Sequence, residues 1–331
     1  MTSISTVDKA ITPDDLGKTL MHEHLQTGMP GWTIDPIAPQ HARREIVARS
    51  VDRIAELQAS GFATMIDPCP SDLGRDVELM AEVSARSGFN IICTTGLYME
   101  ALGAAPYWRL RQQMSGDAAK YIAEGYIKEI TEGVGETGVR PGLIKLATGG
   151  VPLSDYDAIL IEAAGLASLA TGAPIITHTE AVLGDVQQER LTAMGVPAHR
   201  IVVGHSCGSD CFDYHMKIAS GGSYLGFDRF GLDMVMPDKT RVAALARIIG
   251  AGGGDRVVVS HDTVWCWLGN FVSEDRVAEL GINTDPLHFT NVVTPQLLEA
   301  GVTQAQIDAM LIDNPRRYFA GEALPALGPH A

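Results

Sequence analysis

The stretch Pro174-Ile175-Ile176-Thr177-His178, then a helical pattern over 185–194, then Ile201-Val202-Val203-Gly204-His205, decides how this chain folds. Two short apolar runs rich in β-branched residues flank a segment of helical spacing, and each run stops on a histidine. Strand, helix, strand in that order makes a parallel pair, because the crossover brings the second strand back in the same direction. Both histidines then stand at one end of one sheet. An imidazole at the end of an apolar strand is awkwardly placed unless something compensates its desolvation.

The same alternation extends in both directions. Candidate strands fall at 19–24, 63–67, 90–95, 142–147, 174–178, 201–205, 222–227 and 256–260, which makes eight. Helical spacing fills 43–60, 73–87, 116–131, 155–171, 185–194, 209–220 and 237–250. In the first of these, Ile46, Val47, Val51, Ile54 and Leu57 recur at three- and four-residue steps, and Gly61 stands at a C-cap position. Asp155 and Ser209 stand where N-caps are expected, and Pro237 belongs in a first helical turn. The tail 291–319 reads as two helices broken at Gly301-Val302-Thr303, the second capped by Thr303. Eight strands alternating with helices predict an α/β protein, a parallel (β/α)8 TIM barrel forming one domain over residues 1–331. The competing fold, a doubly wound open sheet, needs a phosphate-binding glycine loop after an early strand, and neither Gly149-Gly150 nor Gly252-Gly253-Gly254 has that spacing. There is no internal repeat, low-complexity tract or domain linker.

In a barrel of this kind the active site lies at the C-terminal ends of the strands. The polar residues that end apolar runs are His22 and His24, Lys145, His178, His205 and Asp262, all at those ends. In His22-Glu23-His24 the two imidazoles fall on one face of an extended chain, which suits two ligands to a single ion. Glu23 then points away and is assigned a structural role, and His261 a role in orienting its neighbours. His41, His199, His215, His288 and His330 fall on helices or loops and are assigned to solvent.

Composition narrows the partners. The 331 residues are 46% hydrophobic and 6% aromatic, an ordinary globular balance. The net charge of −15, from 25 basic and 40 acidic residues, argues against nucleic acid or an anionic membrane as partner. Cys69, Cys93, Cys207, Cys211 and Cys266 are odd in number and scattered, so they read as reduced thiols, and the location is expected to be cytoplasmic. No signal-peptide core and no membrane-length apolar stretch is evident.

Taken together, these segments resemble the phosphotriesterase family of the amidohydrolase superfamily, and within it the phosphotriesterase-like lactonases. The resemblance covers nearly the whole chain. It is carried by Met21-His22-Glu23-His24, Gly142-Leu143-Ile144-Lys145, Thr177-His178-Thr179, Gly204-His205-Ser206, Gly226-Phe227-Asp228-Arg229-Phe230-Gly231, Ser260-His261-Asp262 and Asn314-Pro315-Arg316-Arg317-Tyr318-Phe319. Each motif is weak alone, but their order and placement on successive strands is specific.

The resemblance implies two divalent metal ions, commonly zinc, with manganese, cobalt or iron compatible with the same ligands. His22, His24 and Asp262 would hold the more buried ion, and His178 and His205 the more exposed one. Lys145 would bridge both after carboxylation by CO2, because an ammonium cannot bind a cation. Water between two such ions is acidified to hydroxide, which would attack the substrate carbonyl or phosphoryl group, with Asp262 as proton acceptor. Tyr98 matches a tyrosine that the lactonase branch places beside the metals. Arg229 stands where true phosphotriesterases carry a relay histidine, and Gly208 where they carry its aspartate partner. Both departures favour a lactone or related activated ester as substrate, with phosphotriester hydrolysis as a side reaction. A dedicated organophosphate triesterase and a ligand-binding barrel without turnover are the alternatives.

The loop after the seventh strand holds Phe230, Leu232, Met234, Val235 and Met236. The loop after the eighth holds Val264, Trp265, Trp267, Leu268 and Phe271. They form an apolar wall for the substrate, Phe230, Trp265 and Trp267 above all, or a homodimer interface. A phosphate-bearing substrate ranks lower, because the basic residues of these two loops are mainly Arg229, Lys239, Arg241 and Arg276. Asp228 and Arg229 are expected to pair and brace their loop.

Overall fold

The computed structural model describes residues 2–39, 41–269 and 271–327. Eight strands form one sheet whose order follows the chain: β1 Lys18–Leu20, β2 Phe62–Asp67, β3 Asn90–Leu97, β4 Leu143–Ala147, β5 Ile175–His178, β6 Ile201–Val203, β7 Tyr224–Phe227 and β8 Val257–Val259. Every neighbouring pair is parallel. The seam between β8 and β1 closes just past the strand ends. Met21 N–H donates to Val259 O at 3.2 Å, Asp262 N–H to His22 O at 3.0 Å and Trp265 N–H to His24 O at 2.9 Å. A two-residue ladder there pairs Thr263 with Glu23 and Val264 with His24. This is the (β/α)8 barrel expected from the sequence. The expected first strand, 19–24, is however two pieces, because a bend at Met21-His22 turns the chain from the flank of β2 toward β8.

The main helices pack outside the sheet. α1, Arg43–Ala59, buries Ile46, Val47, Ile54 and Leu57, the stripe read from the sequence. Capping differs by a residue or two from expectation. Ser154, not Asp155, caps the helix Asp155–Thr171, its hydroxyl accepting from Asp157 N–H at 3.0 Å. Pro237 stands just ahead of the helix Asp238–Gly250, and Ser209 closes a tight turn onto Cys211 before the helix Phe212–Ser220 begins. Thr303 does cap its helix, in a reciprocal box with Gln306. The sequence reading did not include the helix Ala105–Ser115, in which only Ala105 is buried while Tyr107, Leu110 and Met114 are exposed.

The core has two shells. The smaller unites Leu16, Met21, Ile66, Ile92, Leu143, Ile176, Val202, Tyr224 and Val258 from around the barrel with Ile4 and Ile11 of an N-terminal hairpin and Tyr318 and Phe319 near the C-terminus. The larger lies between strands and helices and holds their neighbours, Ile144, Ile175, Val203, Val257 and Val259 among them. Successive strand residues thus alternate between shells. No helix among the described residues is long and apolar enough to cross a membrane.

Candidate metal centre

The alternation that fills the inner shell also delivers the site. Two residues beyond Leu143 on β4 comes Lys145, and two beyond Ile176 on β5 comes His178, so each continues the inward row up to the C-terminal mouth. His205 and Asp262 are brought in differently. Each stands just past its strand in a left-handed conformation, φ 57° and 56°, which costs a residue with a Cβ about 1–2 kcal/mol. Backbone strain of this kind persists at sites where the surroundings require it.

The six candidate ligands converge. His22 Nε2 and His24 Nε2 lie 3.5 and 3.3 Å from Asp262 Oδ1, and His205 Nε2 lies 3.6 Å from Asp262 Oδ2. His205 Nε2 is 3.0 Å from His178 Nδ1, and Lys145 Nζ is 3.1 Å from His22 Nε2. Two ligand atoms each about 2.1 Å from one tetrahedral ion are about 3.4 Å apart, so these spacings suit metal coordination. His22, His24 and Asp262 form one three-residue set able to hold an ion.

The outward nitrogens each face a carboxylate. His22 Nδ1 faces Asp228 Oδ2 at 3.2 Å, His205 Nδ1 faces Asp228 Oδ1 at 2.9 Å, His24 Nδ1 faces Asp67 Oδ1 at 3.2 Å, and His178 Nε2 faces Glu180 Oε1 at 2.8 Å. A carboxylate that accepts one ring N–H leaves a lone pair on the other nitrogen, here directed inward. Lone pairs of His178 and His205 facing one another at 3.0 Å repel unless a cation lies between them. The donor set therefore fits divalent ions. Room for Asp228 between its two histidines depends on Gly226, where a Cβ would come within 2.6 Å of Asp228 Oδ2.

The electrostatics agree with that arrangement at His22, His178 and His205 but not at His24. Burial pushes the His178 imidazole down to about 4, and burial with the Lys145 charge lowers that of His22. Burial and the Arg229 charge hold His205 well below the ordinary value. At His24 burial acts in the same direction, but hydrogen bonds to Asp262 and Asp67 together outweigh it and raise its pKa. Burial brings the Lys145 amine down to about 8. Burial alone would raise Asp262, yet the charges of His205, His22 and Arg229 and the bond to His24 hold its carboxyl well below the usual range.

Tyr98 and Arg229 stand at the rim of this centre. The Tyr98 hydroxyl is 3.4 Å from His178 Nδ1, and the Tyr98 backbone N–H is held by Asp72 at 3.0 Å. Arg229 does not pair with Asp228. Its Nε–H donates to Asp262 Oδ2 at 2.9 Å, because Asp228 is fully engaged by His22 and His205. The centre opens into a cavity of about 1050 Å³ lined by Leu232, Met234, Val264, Trp265, Trp267 and Phe271, together with Met29 and Leu102. Phe230, expected on this wall, is fully buried beneath it, between Phe227 and Phe289 at ring distances of 6.5 and 5.4 Å. Leu268 is likewise buried, and Val235 is exposed away from the cavity.

Two of the histidines assigned to solvent are structural. His215 is fully buried and donates Nε2–H to Ser206 O at 2.9 Å, and His288 Nε2 bonds Asp238 Oδ2 at 2.6 Å. His41 is exposed at the cavity edge and His199 half-buried, while His330 lies outside the described residues. Glu23 does point away from the centre. Its Oε1 accepts from Ser260 Oγ, His261 N–H and His261 Nδ1–H at 2.8, 2.9 and 2.7 Å, and His261 Nε2 accepts from Phe289 N–H at 2.9 Å. Three carboxylates escaped the sequence reading as ligand partners: Asp67, Asp228 and Glu180. Asp67 ends the apolar run Met65-Ile66, the same signal that marked the ligands, and Glu180 follows His178 by two residues.

Comparison with known proteins agrees with this geometry. The phosphotriesterase family model matches residues 2–319. A "Phosphotriesterase homology protein" of Mycobacterium tuberculosis is 35% identical over 325 residues, covering 96% of this chain and 98% of the relative. An "Aryldialkylphosphatase" of Saccharolobus solfataricus is 30% identical over 321 residues, covering 94% and 97%. Among solved structures, an organophosphorus hydrolase from Deinococcus radiodurans superposes with a TM-score of 0.92 at 36% identity, covering 96% of this chain and 97% of that one. A mutant PTE-like lactonase from the same organism gives 0.91 at 34%, covering 96% and 99%. With the fold, the donor set and these matches in agreement, the chain belongs to the phosphotriesterase family of metal-dependent hydrolases.

Proposed function

We propose that this enzyme hydrolyses lactones, acyl-homoserine lactones among the first to test, or related activated esters, with phosphotriester hydrolysis as a side activity. The observation that carries the substrate choice is the Arg229–Asp262 ion pair at 2.9 Å, with both side chains half-buried at the rim of the centre. A proton relay through a histidine at position 229 is replaced by a fixed guanidinium, which holds the carboxylate ionised and oriented. The Tyr98 hydroxyl beside His178 is in place to donate to a lactone ring oxygen as it becomes a leaving alkoxide. The apolar cavity supports a hydrophobic acyl part. A neighbour titled a PTE-like lactonase supports the same reading, and relatives named for phosphate esters support the side activity.

The centre is read as binuclear, with zinc favoured by its imidazole and carboxylate donors. When bound, two such ions acidify water and polarise an ester oxygen. His22, His24 and Asp262 would hold one, His178 and His205 the other. Lys145 would bridge them as a carbamate, supported by its burial, its contact with His22 Nε2, and the lack of any carboxylate paired with it among the described residues. Asp262 Oδ1 faces the centre, while Oδ2 is pinned by Arg229. Ionised and weakly basic, Asp262 accepts the proton released on attack and readily passes it to the leaving group. Exposed Met234, Val235 and Phe271 on the mouth loops support a homodimer, and the unpaired cysteines support a reducing, cytoplasmic setting.

The test pairs elemental analysis with a hydrolysis screen of short- and long-chain lactones against paraoxon. About two metals per chain with lactones well ahead is the expected result, and paraoxon ahead would overturn the substrate. Arg229→His should shift the ratio toward paraoxon, and an unchanged ratio would remove Arg229 from the substrate argument.

A further inference from the structure

Two loops that follow neighbouring strands build the apolar wall of the cavity above the metal ligands, and one carboxylate joins them. Leu232 and Met234 come from the loop after β7, and Phe271, Val277 and Ile282 from the loop after β8. The second loop leaves the barrel on the ladder that pairs Thr263 with Glu23 and Val264 with His24, and it is fixed again at Phe289, whose N–H donates to His261 Nε2. Its far end touches the first loop in three places. Leu232 bridges Ile282 in the antiparallel sense, Asn283 N–H donates to Gly231 O at 3.1 Å, and His288 Nε2–H donates to Asp238 Oδ2 at 2.6 Å. The approach is close enough to need glycine: Gly231 has φ 88°, and a Cβ there would lie 2.3 Å from that of Asn283. From the other side Arg53 donates Nη1–H to Thr284 O at 2.8 Å, so the end of the loop is held between α1 and the loop after β7.

Asp238 is the hub of this contact. It begins the helix Asp238–Gly250, and its two oxygens accept from Gly231 N–H at 2.9 and 3.1 Å. Arg241 is fully buried and donates Nη1–H to Asp238 Oδ1 and Nη2–H to Leu232 O, each at 2.9 Å. It offers nothing to a substrate, although the sequence counts it among the basic residues of these loops. Burial alone would raise the Asp238 carboxyl, yet the bonds from His288, Gly231 and Arg241 hold it below its ordinary value. The Asp238–Arg241 pair is satisfied within its own helix and the loop before it. His288 is the member that crosses to the other loop, and it can donate as the neutral Nε2–H tautomer or as the imidazolium.

We propose that His288 is a positioning residue for substrate: through Asp238 it latches the loop after β8 onto the loop after β7, holding Ile282 beside Leu232 and closing the wall against which the chain of a long substrate packs. The latch sets chain-length selectivity through KM and leaves the bond-breaking step at the centre alone. This deepens the lactonase reading and rests on it.

The experiment uses zinc-loaded enzyme and two lactones of one ring size, with a butanoyl and a decanoyl chain. In His288→Ala the KM for the decanoyl substrate should rise about tenfold, while the KM for the butanoyl substrate, both kcat values and the metal content stay within about twofold. His288→Gln, which keeps an N–H donor toward Asp238, should recover most of the loss. Asp238→Asn, nearly the same in shape, should reproduce part of it. Amide hydrogen exchange in segments 229–236 and 276–288 should quicken in His288→Ala and stay unchanged in the barrel strands. A long-to-short KM ratio unchanged in both His288→Ala and Asp238→Asn would overturn the latch. So would exchange in these two segments no faster than in the wild type. Should no lactone be hydrolysed, the lactonase reading fails, and titration with butanoate and decanoate, followed by tryptophan fluorescence, still decides: a wild-type preference for decanoate that His288→Ala loses sustains the latch, and equal preferences overturn it.

Discussion

Lys145 shows how one residue constrains the chemistry of the centre. Its stem continues the inward row of β4 from Leu143, and its nitrogen ends buried, 3.1 Å from the nitrogen of His22. A buried ammonium with no paired carboxylate is unfavourable, whereas a neutral amine carboxylated to an anion would neutralise charge brought by metal ions. Lys145→Ala should therefore drop metal content from about two per chain to one or fewer and cost at least about a hundredfold in turnover. Added acetate or propionate should restore part of the rate by supplying the missing anion. Full metal content in this variant, measured by elemental analysis, would rule out the bridging role. The same residue-level logic runs through His22, His24, His178 and His205, each fixed by a carboxylate behind it.

At the scale of elements, the seam between β8 and β1 is where the barrel closes and where three candidate ligands lie within five residues of a strand end. Glu23 fastens it. One carboxylate oxygen collects Ser260 Oγ–H and both N–H groups of His261, and Ser260 Oγ in turn accepts from His22 N–H at 2.9 Å. His261 extends the chain of bonds to Phe289 at the start of the C-terminal helical segment. Glu23→Ala would leave three donors buried without partners, and should cost roughly 3 kcal/mol or more in urea unfolding of the metal-free protein. Glu23→Gln, which keeps the shape, should cost less. A loss under about 0.5 kcal/mol for the alanine variant would mean that Glu23 does not fasten the seam.

For the whole molecule, metal binding and stability are one equilibrium. Ions that bind only the folded chain at about a hundred times Kd add about 2.7 kcal/mol per site. Chelation should therefore lower Tm by at least about 5 °C. Acid should act on the same ligands in the metal-free protein. His22, His178 and His205 have folded pKa values below the unfolded value of 6.5, that of His178 reaching about 4. Between those pH values the unfolded chain binds more protons, so stability falls as pH drops from about 6.5 toward 4. His24 is raised, so its contribution is fully present below 6.5 and fades only as pH rises through its folded value, outside this window. The three lowered histidines predict a net loss of Tm toward acid, checked by thermal melts of chelated protein across that window; a flat profile would contradict it.

The sequence determined the barrel and the convergence of the six candidate ligands at its mouth because both rest on short-range rules. Strand periodicity sets which side chains turn inward, and a polar residue ending an apolar run marks the mouth, as at Lys145, His178 and His205. Tertiary structure alone decided what depends on elements distant in sequence. Asp228 turns to His22 and His205 rather than to its neighbour Arg229, Phe230 sinks between Phe227 and Phe289, and His215 and His288 find buried partners. Arg53, 212 positions before Trp265, comes to stand over the same cavity. Spacing along a strand or helix is fixed by local geometry, whereas these pairings follow from how closed strands and returning loops share space, which no local pattern encodes.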